Sequence, residues 1–278
     1  MYTARVCLGV TALSLTSVPK NLPETATLLY LNGNNITHIN HSAFLALKKL
    51  AVLYLDKSNI YFIHPGAFAS LKKLYYLYLN DNSIEHLYPR VFEGLSYLYV
   101  LHLQNNRIGN HLRTLGNDTF CGLVSLRTLN LSNNNISQIC EFAFRHLEGL
   151  ENLYLEGNNL MQVPSESLGL LKHLKRLSLS NNPLTALHSL AFNGLETLQI
   201  LFLVNSNIQL VYEESFYGLS NLKQLILSGN ELDSLNSTTF AHLNHLLYLQ
   251  LDRNHIRSIS DSLKHEIIIY YPKNNYPK

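Results

Sequence analysis

The sequence predicts an α/β fold of the solenoid type: a right-handed coil with a curved parallel β-sheet on its concave face and an irregular or 3-10 convex face. Three observations lead to this prediction. The motif L-x-x-L-x-L-x-x-N-x-L occurs ten times, it recurs at a nearly constant spacing, and asparagine makes up 31 of the 278 residues. A motif that returns every ~20–50 residues is typical of chains that stack one coil on the next.

The motif also sets the boundaries of the predicted domains. Its first residues lie 24 residues apart, except for one interval of 28 residues that begins at Leu98. They are Ala26, Leu50, Leu74, Leu98, Leu126, Leu150, Leu174, Leu198, Leu222 and Leu246. We therefore predict ten repeats over residues 26–260, with the long repeat at 98–125. Residues 1–25 are interpreted as a degenerate N-terminal cap and residues 261–278 as a non-repeat tail.

Seven apolar positions recur in each period, which reads LxxLxLxxNxIxxIxxxxFxxLxx. The L-x-x-L-x-L part predicts a short strand whose leucines at the fourth and sixth positions point into the coil. Strands one repeat apart run in the same direction and should pair in parallel. A phenylalanine column follows, at Phe44, Phe68, Phe92, Phe120, Phe144, Phe192, Phe216 and Phe240, with Leu168 in place of phenylalanine in one repeat.

One column of the repeat is polar. It holds serine in two repeats, at Ser58 and Ser206, and asparagine in the others. An asparagine amide has two donors and an acceptor, so it satisfies backbone groups that a turn leaves unpaired. We predict a structural ladder of Asn34, Asn82, Asn106, Asn134, Asn158, Asn182, Asn230 and Asn254. The serine rungs should be weaker, because serine is shorter and has one donor.

The solvent-facing strand positions form the candidate binding surface. Alternation places the second, third and fifth positions of each strand outside the core. We predict a partner-binding surface there, formed by Tyr30, Tyr54, Tyr75, Tyr76, Tyr78, Tyr99, His102, Tyr154 and Phe202. Adjacent strands lie about 4.8 Å apart, so Tyr30, Tyr54 and Tyr78 should form a row. Two interpretations stay open, because aromatic rows stabilise sheets and exposed tyrosine is also enriched at protein interfaces.

The later repeats suggest a second function. Charged side chains occupy the same predicted face. They are Arg127, Lys175, Arg176 and Lys223, with Glu151 and Glu156 among them. Such a patch is compatible with an extracellular matrix protein that binds glycosaminoglycan or collagen, although solvated surface charge is the simpler interpretation. The formal net charge of +2 provides no bulk attraction for nucleic acid, and no nucleic-acid partner is predicted.

Glycosylation is permitted by six N-x-S/T sequons. They begin at Asn35, Asn40, Asn117, Asn130, Asn135 and Asn236. Their number is close to what the asparagine, serine and threonine content produces by chance. The sequons therefore allow glycans on a secreted protein without proving secretion.

Catalytic chemistry is not predicted. The sequence has no G-x-S-x-G, P-loop or H-E-x-x-H motif. The histidine pairs His38 with His41 and His242 with His245 lack the additional ligands that zinc requires. We predict that the protein is not an enzyme and that it has no cofactor and no metal.

The period as a whole resembles the leucine-rich repeats of the 24-residue typical class, over residues 13–260. That class implies an extracellular or cell-surface protein that holds a protein ligand or receptor on its concave face. The stretches LTSVPKNLPETATLLYLNGNNI, LYLDKSNI and LSLSNNPLTALHSLAF are similar to single-pass leucine-rich-repeat membrane proteins. This similarity implies a receptor-like protein that modulates cellular responses to growth factors and cytokines.

Members of this class usually carry cysteine-rich caps. Here Cys7 lies near the start and no cysteine follows Cys140, and these two and Cys121 are expected to be free thiols. We predict a truncated chain that lacks the signal peptide and the membrane anchor of the full-length protein. The full-length protein is expected at the plasma membrane or outside the cell.

Overall fold

A computed structural model describes residues 6–11, 14–109, 114–235, 238–257 and 268–270. The chain divides into two compact units, Met1–Leu150 and Glu151–Lys278. Both are built from short parallel strands joined by turns.

The described part of the first unit contains ten strands. Six of them pair side by side in a parallel sheet in the order β1-β2-β4-β6-β7-β9. The others form two-stranded ladders, β3 with β5 and β8 with β10. The strands are β1 Val6–Gly9, β2 Ala26–Tyr30, β3 His38–Ile39, β4 Val52–Tyr54, β5 Phe62–Ile63, β6 Tyr76–Tyr78, β7 Val100–His102, β8 Thr114–Leu115, β9 Thr128–Asn130 and β10 Gln138–Ile139.

The second unit repeats this arrangement. Its parallel sheet has the order β11-β12-β14-β16-β17-β18, and β13 pairs with β15 in a separate ladder. Its elements are β11 Asn152–Tyr154, α1 Ser165–Leu168, β12 Arg176–Ser178, β13 Ala186–Leu187, β14 Ile200–Phe202, β15 Leu210–Val211, β16 Gln224–Ile226, β17 Tyr248–Gln250 and β18 Ile268–Tyr270.

The strand register follows the repeat. Leu29, Leu53 and Leu77 are successive register partners, and each is fully buried. The residues on either side of them face outward and stay partly exposed. This pattern confirms the predicted parallel sheet with leucines in the core, because each side chain alternates between the two faces of its strand.

The phenylalanine column packs as a stack inside each unit. In the first unit Phe44, Phe68, Phe92, Phe120 and Phe144 are at most 1% exposed, and neighbouring ring centroids lie 5.9–6.3 Å apart. In the second unit the rings of Phe192, Phe216 and Phe240 stack in the same way. Leu168, which replaces phenylalanine, is the last residue of α1, and α1 is the one helix of the described residues.

The turns opposite the sheet are irregular. Single i→i+3 hydrogen bonds close them, as from Ala43 N–H to the Asn40 carbonyl and from Leu47 N–H to the Phe44 carbonyl. These bonds do not run on into a regular 3-10 helix in the part of the chain that the structure describes. The irregular alternative of the sequence prediction is therefore the one observed.

Two features were not predicted from the repeat pattern. The apolar column that begins at Ile39 adds short ladders, in which Ile39 pairs with Ile63 and Leu187 with Val211. Residues 268–270 of the predicted non-repeat tail form β18, which pairs in register with β17. Both segments contain β-branched or aromatic residues that suit a strand. Ile259, the last residue of the apolar column, lies outside the described residues.

The polar column lies at the turn after each strand, and Asn82 shows its geometry. Its Nδ2 donates to the carbonyls of Leu55 (2.9 Å) and Leu79 (3.0 Å). Its Oδ1 accepts from the N–H groups of Ser58 (3.2 Å) and Ile60 (3.1 Å). One side chain therefore links two successive coils and satisfies four backbone groups.

The serine rungs differ from each other. The hydroxyl of Ser206 donates to the carbonyls of Leu179 (3.4 Å) and Val204 (3.2 Å). The hydroxyl of Ser58 is buried and has no hydrogen-bond partner. A buried polar group without a partner costs stability, so the rung at Ser58 is the weak point of the polar column.

Ser58→Asn is expected to raise the free energy of unfolding by about 1 kcal/mol, the net value of a typical added hydrogen bond. By analogy with Asn82, the new amide would donate to the carbonyls of Leu31 and Leu55. Urea unfolding followed by circular dichroism measures the change. Ser206→Asn is the matched control and should gain less, because its hydroxyl already has acceptors. A gain at residue 206 that equals or exceeds the gain at residue 58 would contradict this explanation.

Candidate functional site

The fifth strand positions of the first unit carry a continuous aromatic stack, which we call the aromatic ladder: Tyr30, Tyr54, Tyr78 and His102. Tyr30 and Tyr54 have ring centroids 4.6 Å apart and an interplanar angle of 11°. Tyr54 and Tyr78 lie 4.5 Å apart at 2°, and Tyr78 and His102 lie 5.2 Å apart at 18°. The spacing matches that of parallel strands, so the sheet itself holds the rings face to face.

A row of polar side chains runs beside the aromatic ladder. It consists of Asn32, Asp56, Asn80 and Gln104, each two residues after a ladder residue. The intervening leucine points into the core, so both rows face outward. Together they line an open groove with a volume of about 430 Å³, which we call the trough.

Partial burial changes the titration of the groups in the trough. Burial raises the pKa of Tyr54, and the nearby hydroxyls of Tyr78 and Tyr30 raise it further. Burial also lowers the pKa of His102 below its usual value. His102 Nδ1 lies 3.1 Å from Gln104 Oε1, and this nitrogen carries the proton because an amide oxygen only accepts. Burial therefore favours the uncharged forms of Tyr54 and His102.

Burial raises the pKa of Asp56 as well, against the opposing effects of its own backbone N–H and of Lys57. Its carboxylate is the one acidic group that lines the trough. The charge of the trough is consequently negative when Asp56 is ionised.

Three further predicted residues are more exposed than the aromatic ladder. The exposed fractions of Tyr75, Tyr76 and Tyr99 are 43%, 39% and 46%. Tyr76 belongs to β6 beside the aromatic ladder, and the ring of Tyr75 lies 6.3 Å from that of Tyr97. The sequence analysis missed Tyr97, which precedes the repeat motif and is 56% exposed. We call Tyr75, Tyr76, Tyr97 and Tyr99 the exposed tyrosines.

The remaining two predicted residues are not part of a continuous row. Tyr154 and Phe202 belong to the second unit, and Ser178 on β12 stands between them in the register. The aromatic surface is thus concentrated in the first unit. The sequence analysis also missed the polar row of the trough, although a polar residue at the seventh position of successive repeats was a readable signal.

Two of the four proposed basic side chains have partners within the chain. Lys175 Nζ lies 2.9 Å from Glu151 Oε2, and Arg127 Nη1 donates to the Gly149 carbonyl at 2.6 Å. Glu151 neutralises the charge of Lys175, whereas a carbonyl leaves the charge of Arg127 in place. The ion pair therefore reduces the positive charge available to a glycosaminoglycan.

The sequons differ in accessibility. Asn35, Asn40 and Asn117 are exposed, whereas Asn130 and Asn135 are half-buried. Asn130 Oδ1 accepts hydrogen bonds from the backbone and hydroxyl of Ser132. Asn236 lies outside the described residues.

Among the residues that the structure describes, no group of three or more His, Cys, Asp or Glu side chains could hold a metal ion. Cys7, Cys121 and Cys140 are free thiols. None of the described helices has the length and apolar character needed to cross a membrane.

Stacked parallel coils with a leucine core and asparagine at the turns define a leucine-rich-repeat solenoid, and comparison with known families agrees. Residues 24–82, 48–108, 109–160, 172–232 and 220–265 match the leucine rich repeat family. These matches cover most of the chain, which therefore belongs to that family.

Two known proteins are similar to parts of this chain. A crystal structure of a TLR13–ssRNA13 complex superposes with a TM-score of 0.76 and 26% sequence identity, covering 91% of this chain. Human leucine-rich repeat-containing protein 70 is 53% identical over 38 residues, which is 14% of this chain. The chain spans 38% of the TLR13 chain, and the short match covers 6% of the human protein.

Proposed function

We propose that this chain is a protein-binding leucine-rich-repeat module of a cell-surface or secreted receptor-like protein. Its partner would bind the outward face of the sheet in the first unit, across the aromatic ladder and the exposed tyrosines. The observation that carries this proposal is the concentration of partly exposed tyrosine rings on one face of one sheet.

Tyrosine rings of this kind suit a protein interface. They supply a large contact area with only two rotatable side-chain bonds, so little conformational entropy is lost when a partner fixes them. The stack fixes the ladder rings before any partner arrives, and such pre-organisation lowers the cost of binding. The exposed tyrosines beside the ladder provide apolar area that a partner would remove from water.

Base stacking is a less suitable use of this surface. Tyr54 and Tyr78 each have both ring faces covered by neighbouring rings. Recognition of single-stranded nucleic acid relies on open aromatic faces together with a positively charged groove. We therefore do not extend to this chain the ssRNA13 named in the TLR13 structure.

A narrower role is part of the proposal. Three stretches of the sequence are similar to synleurin, a single-pass leucine-rich-repeat membrane protein, which suggests a function in cellular responses to growth factors and cytokines. The exposed sequons at Asn35, Asn40 and Asn117 support a glycosylated extracellular protein. The protein is proposed to act by binding, without catalysis.

The test is a binding screen of the full chain against an array of purified secreted proteins and receptor ectodomains. We expect at least one saturable binder. Tyr75→Ala combined with Tyr76→Ala should weaken it about tenfold or more, since buried interface tyrosines are frequent hot spots. Both rings are more than a third exposed, so each substitution should change the free energy of unfolding by less than about 0.5 kcal/mol.

The matched control removes two tyrosines that lie outside the sheet. Tyr61→Ala combined with Tyr217→Ala deletes rings that are 56% and 45% exposed. This variant should bind like the wild type. An array without any binder, or equal losses in the two double variants, would contradict the proposal.

A further inference from the structure

We propose that the trough is a receptor site for a guanidinium group, supplied by an arginine of the protein partner, with the Asp56 carboxylate as its ion-pair acceptor. This inference rests on the proposed function, because it names the chemistry by which the same face would select a partner. The proposal depends on the chemistry of the trough and on a comparison with a second aspartate at the same position of the repeat.

Asp56 has little internal compensation for its charge. Within the described part of the chain, no side chain of another residue donates a hydrogen bond to its carboxylate. The charge of Lys57 lowers the pKa of Asp56 and the charge of Asp81 raises it. Lys57 is itself exposed. The carboxylate is therefore partly removed from water without an ion pair to replace the lost hydration.

Asp252 occupies the equivalent position in a later repeat and is fully engaged. Its Oδ1 accepts from Ser228 Oγ (2.5 Å) and from Gln250 Nε2 (2.7 Å), and its Oδ2 accepts from Arg253 Nε (3.2 Å). These contacts lower the pKa of Asp252, whereas burial raises that of Asp56. An aspartate at this position of the repeat can thus have side-chain partners within the chain, as Asp252 does. Asp56 in the trough lacks such partners among the described residues.

A second acceptor lies in the wall of the trough. Oδ1 of Asn32 is buried and has no hydrogen-bond partner. Asn32 follows β2 and Asp56 follows the neighbouring strand β4, so both belong to the same polar row, and both line the trough. A ligand with several donors on one side would pair with the carboxylate, and a rotation of the Asn32 side chain would bring its amide oxygen to the same donors. A buried acceptor without a donor costs free energy, and the ligand would recover it.

A guanidinium group fits these requirements better than other cations. It presents five N–H donors in a planar fork that pairs with a carboxylate through two bonds. It is weakly hydrated, so it enters a partly dry groove at lower cost than an ammonium group. Tyr54 and Tyr78 line the same trough, and a tyrosine hydroxyl is able to accept a hydrogen bond from such a group.

The experiment titrates the full chain with Nα-acetyl-arginine amide and follows the tyrosine ring resonances by NMR. Tyr54→Phe and Tyr78→Phe variants assign the two rings. We expect their shifts to saturate with a Kd on the order of 1–10 mM, appropriate to one small ligand. Nα-acetyl-citrulline amide has the same shape without the charge and should produce no saturable change.

Asp56→Asn should abolish the response to the arginine probe, and Asp252→Asn is the matched control that should retain it. A thermal melt by circular dichroism establishes that both variants are folded. Equal responses to arginine and citrulline, an unchanged response in Asp56→Asn, or a tighter response to calcium chloride would overturn the proposal. The probe is a small molecule, so its failure leaves the result of the protein screen unaffected, and the two outcomes can be distinguished.

Discussion

Asn82→Ala is expected to lower the free energy of unfolding by about 3–5 kcal/mol, because three buried backbone groups lose their partner at once. The carbonyl of Leu55 loses its donor, and the N–H groups of Ser58 and Ile60 lose their acceptor. The carbonyl of Leu79 keeps a donor in Asn106 Nδ2 at 2.9 Å. Asn82 is 8% exposed, so water cannot readily replace these bonds. Urea unfolding followed by circular dichroism measures the loss.

The matched control for this substitution is Asn59→Ala in the neighbouring repeat. Asn59 is exposed, and its side chain donates one hydrogen bond to Asn35 Oδ1. Its removal should cost less than about 0.5 kcal/mol, as surface substitutions generally do. Similar losses at the two positions would show that the polar column does not contribute as described.

Phe92→Ala is expected to destabilise the protein by about 3–5 kcal/mol, the usual cost of removing a buried phenylalanine side chain. The ring is fully buried and stacks between those of Phe68 and Phe120, at centroid distances of 6.3 and 6.1 Å. Its removal opens a cavity between three successive coils. Each coil contacts mainly its neighbours, so hydrogen exchange should increase first in the coils next to residue 92.

Phe92→Leu is the control that separates lost volume from a lost ring. The same column contains Leu168 in the second unit, so leucine is compatible with a coil of this type. The expected cost is about 1–2 kcal/mol, since most of the apolar volume remains. If both variants unfolded at the same urea concentration as the wild type, the stacked column would not be a main source of stability.

The repeat pattern predicted the regular part of the molecule well. Leu53, Leu77 and Leu101 point inward, and their strands pair in parallel with a register of one repeat. The reason is that a constant number of residues per repeat sets the register between neighbouring strands. The two-residue alternation along each strand then determines which side chains enter the core. β18 was missed because it lacks that spacing, since Tyr248 and Ile268 pair at an interval of 20 residues. The ladder that joins Ile39 to Ile63 has the repeat spacing, but the apolar pattern at these positions did not distinguish a strand from a buried turn.

The candidate site was predicted only in part. Alternation placed Tyr30, Tyr54 and Tyr78 on one face, and the structure brings their rings into direct contact. The predicted set also included Tyr154 and Phe202, which Ser178 separates. The pattern of one strand specifies the direction of a side chain. The identity of its neighbours depends on which residues the adjacent strands supply.

The two aspartates at the seventh position of the repeat show which properties the sequence pattern predicts and which depend on the tertiary structure. The repeat alone placed Asp56 and Asp252 in equivalent turns on the outward face. In the adjacent coil Asp252 meets Ser228, whereas Asp56 lies in a trough beside Asn32, whose Oδ1 has no partner. Whether a carboxylate is neutralised depends on atoms within about 4 Å of it, and stacking one coil on another determines those atoms.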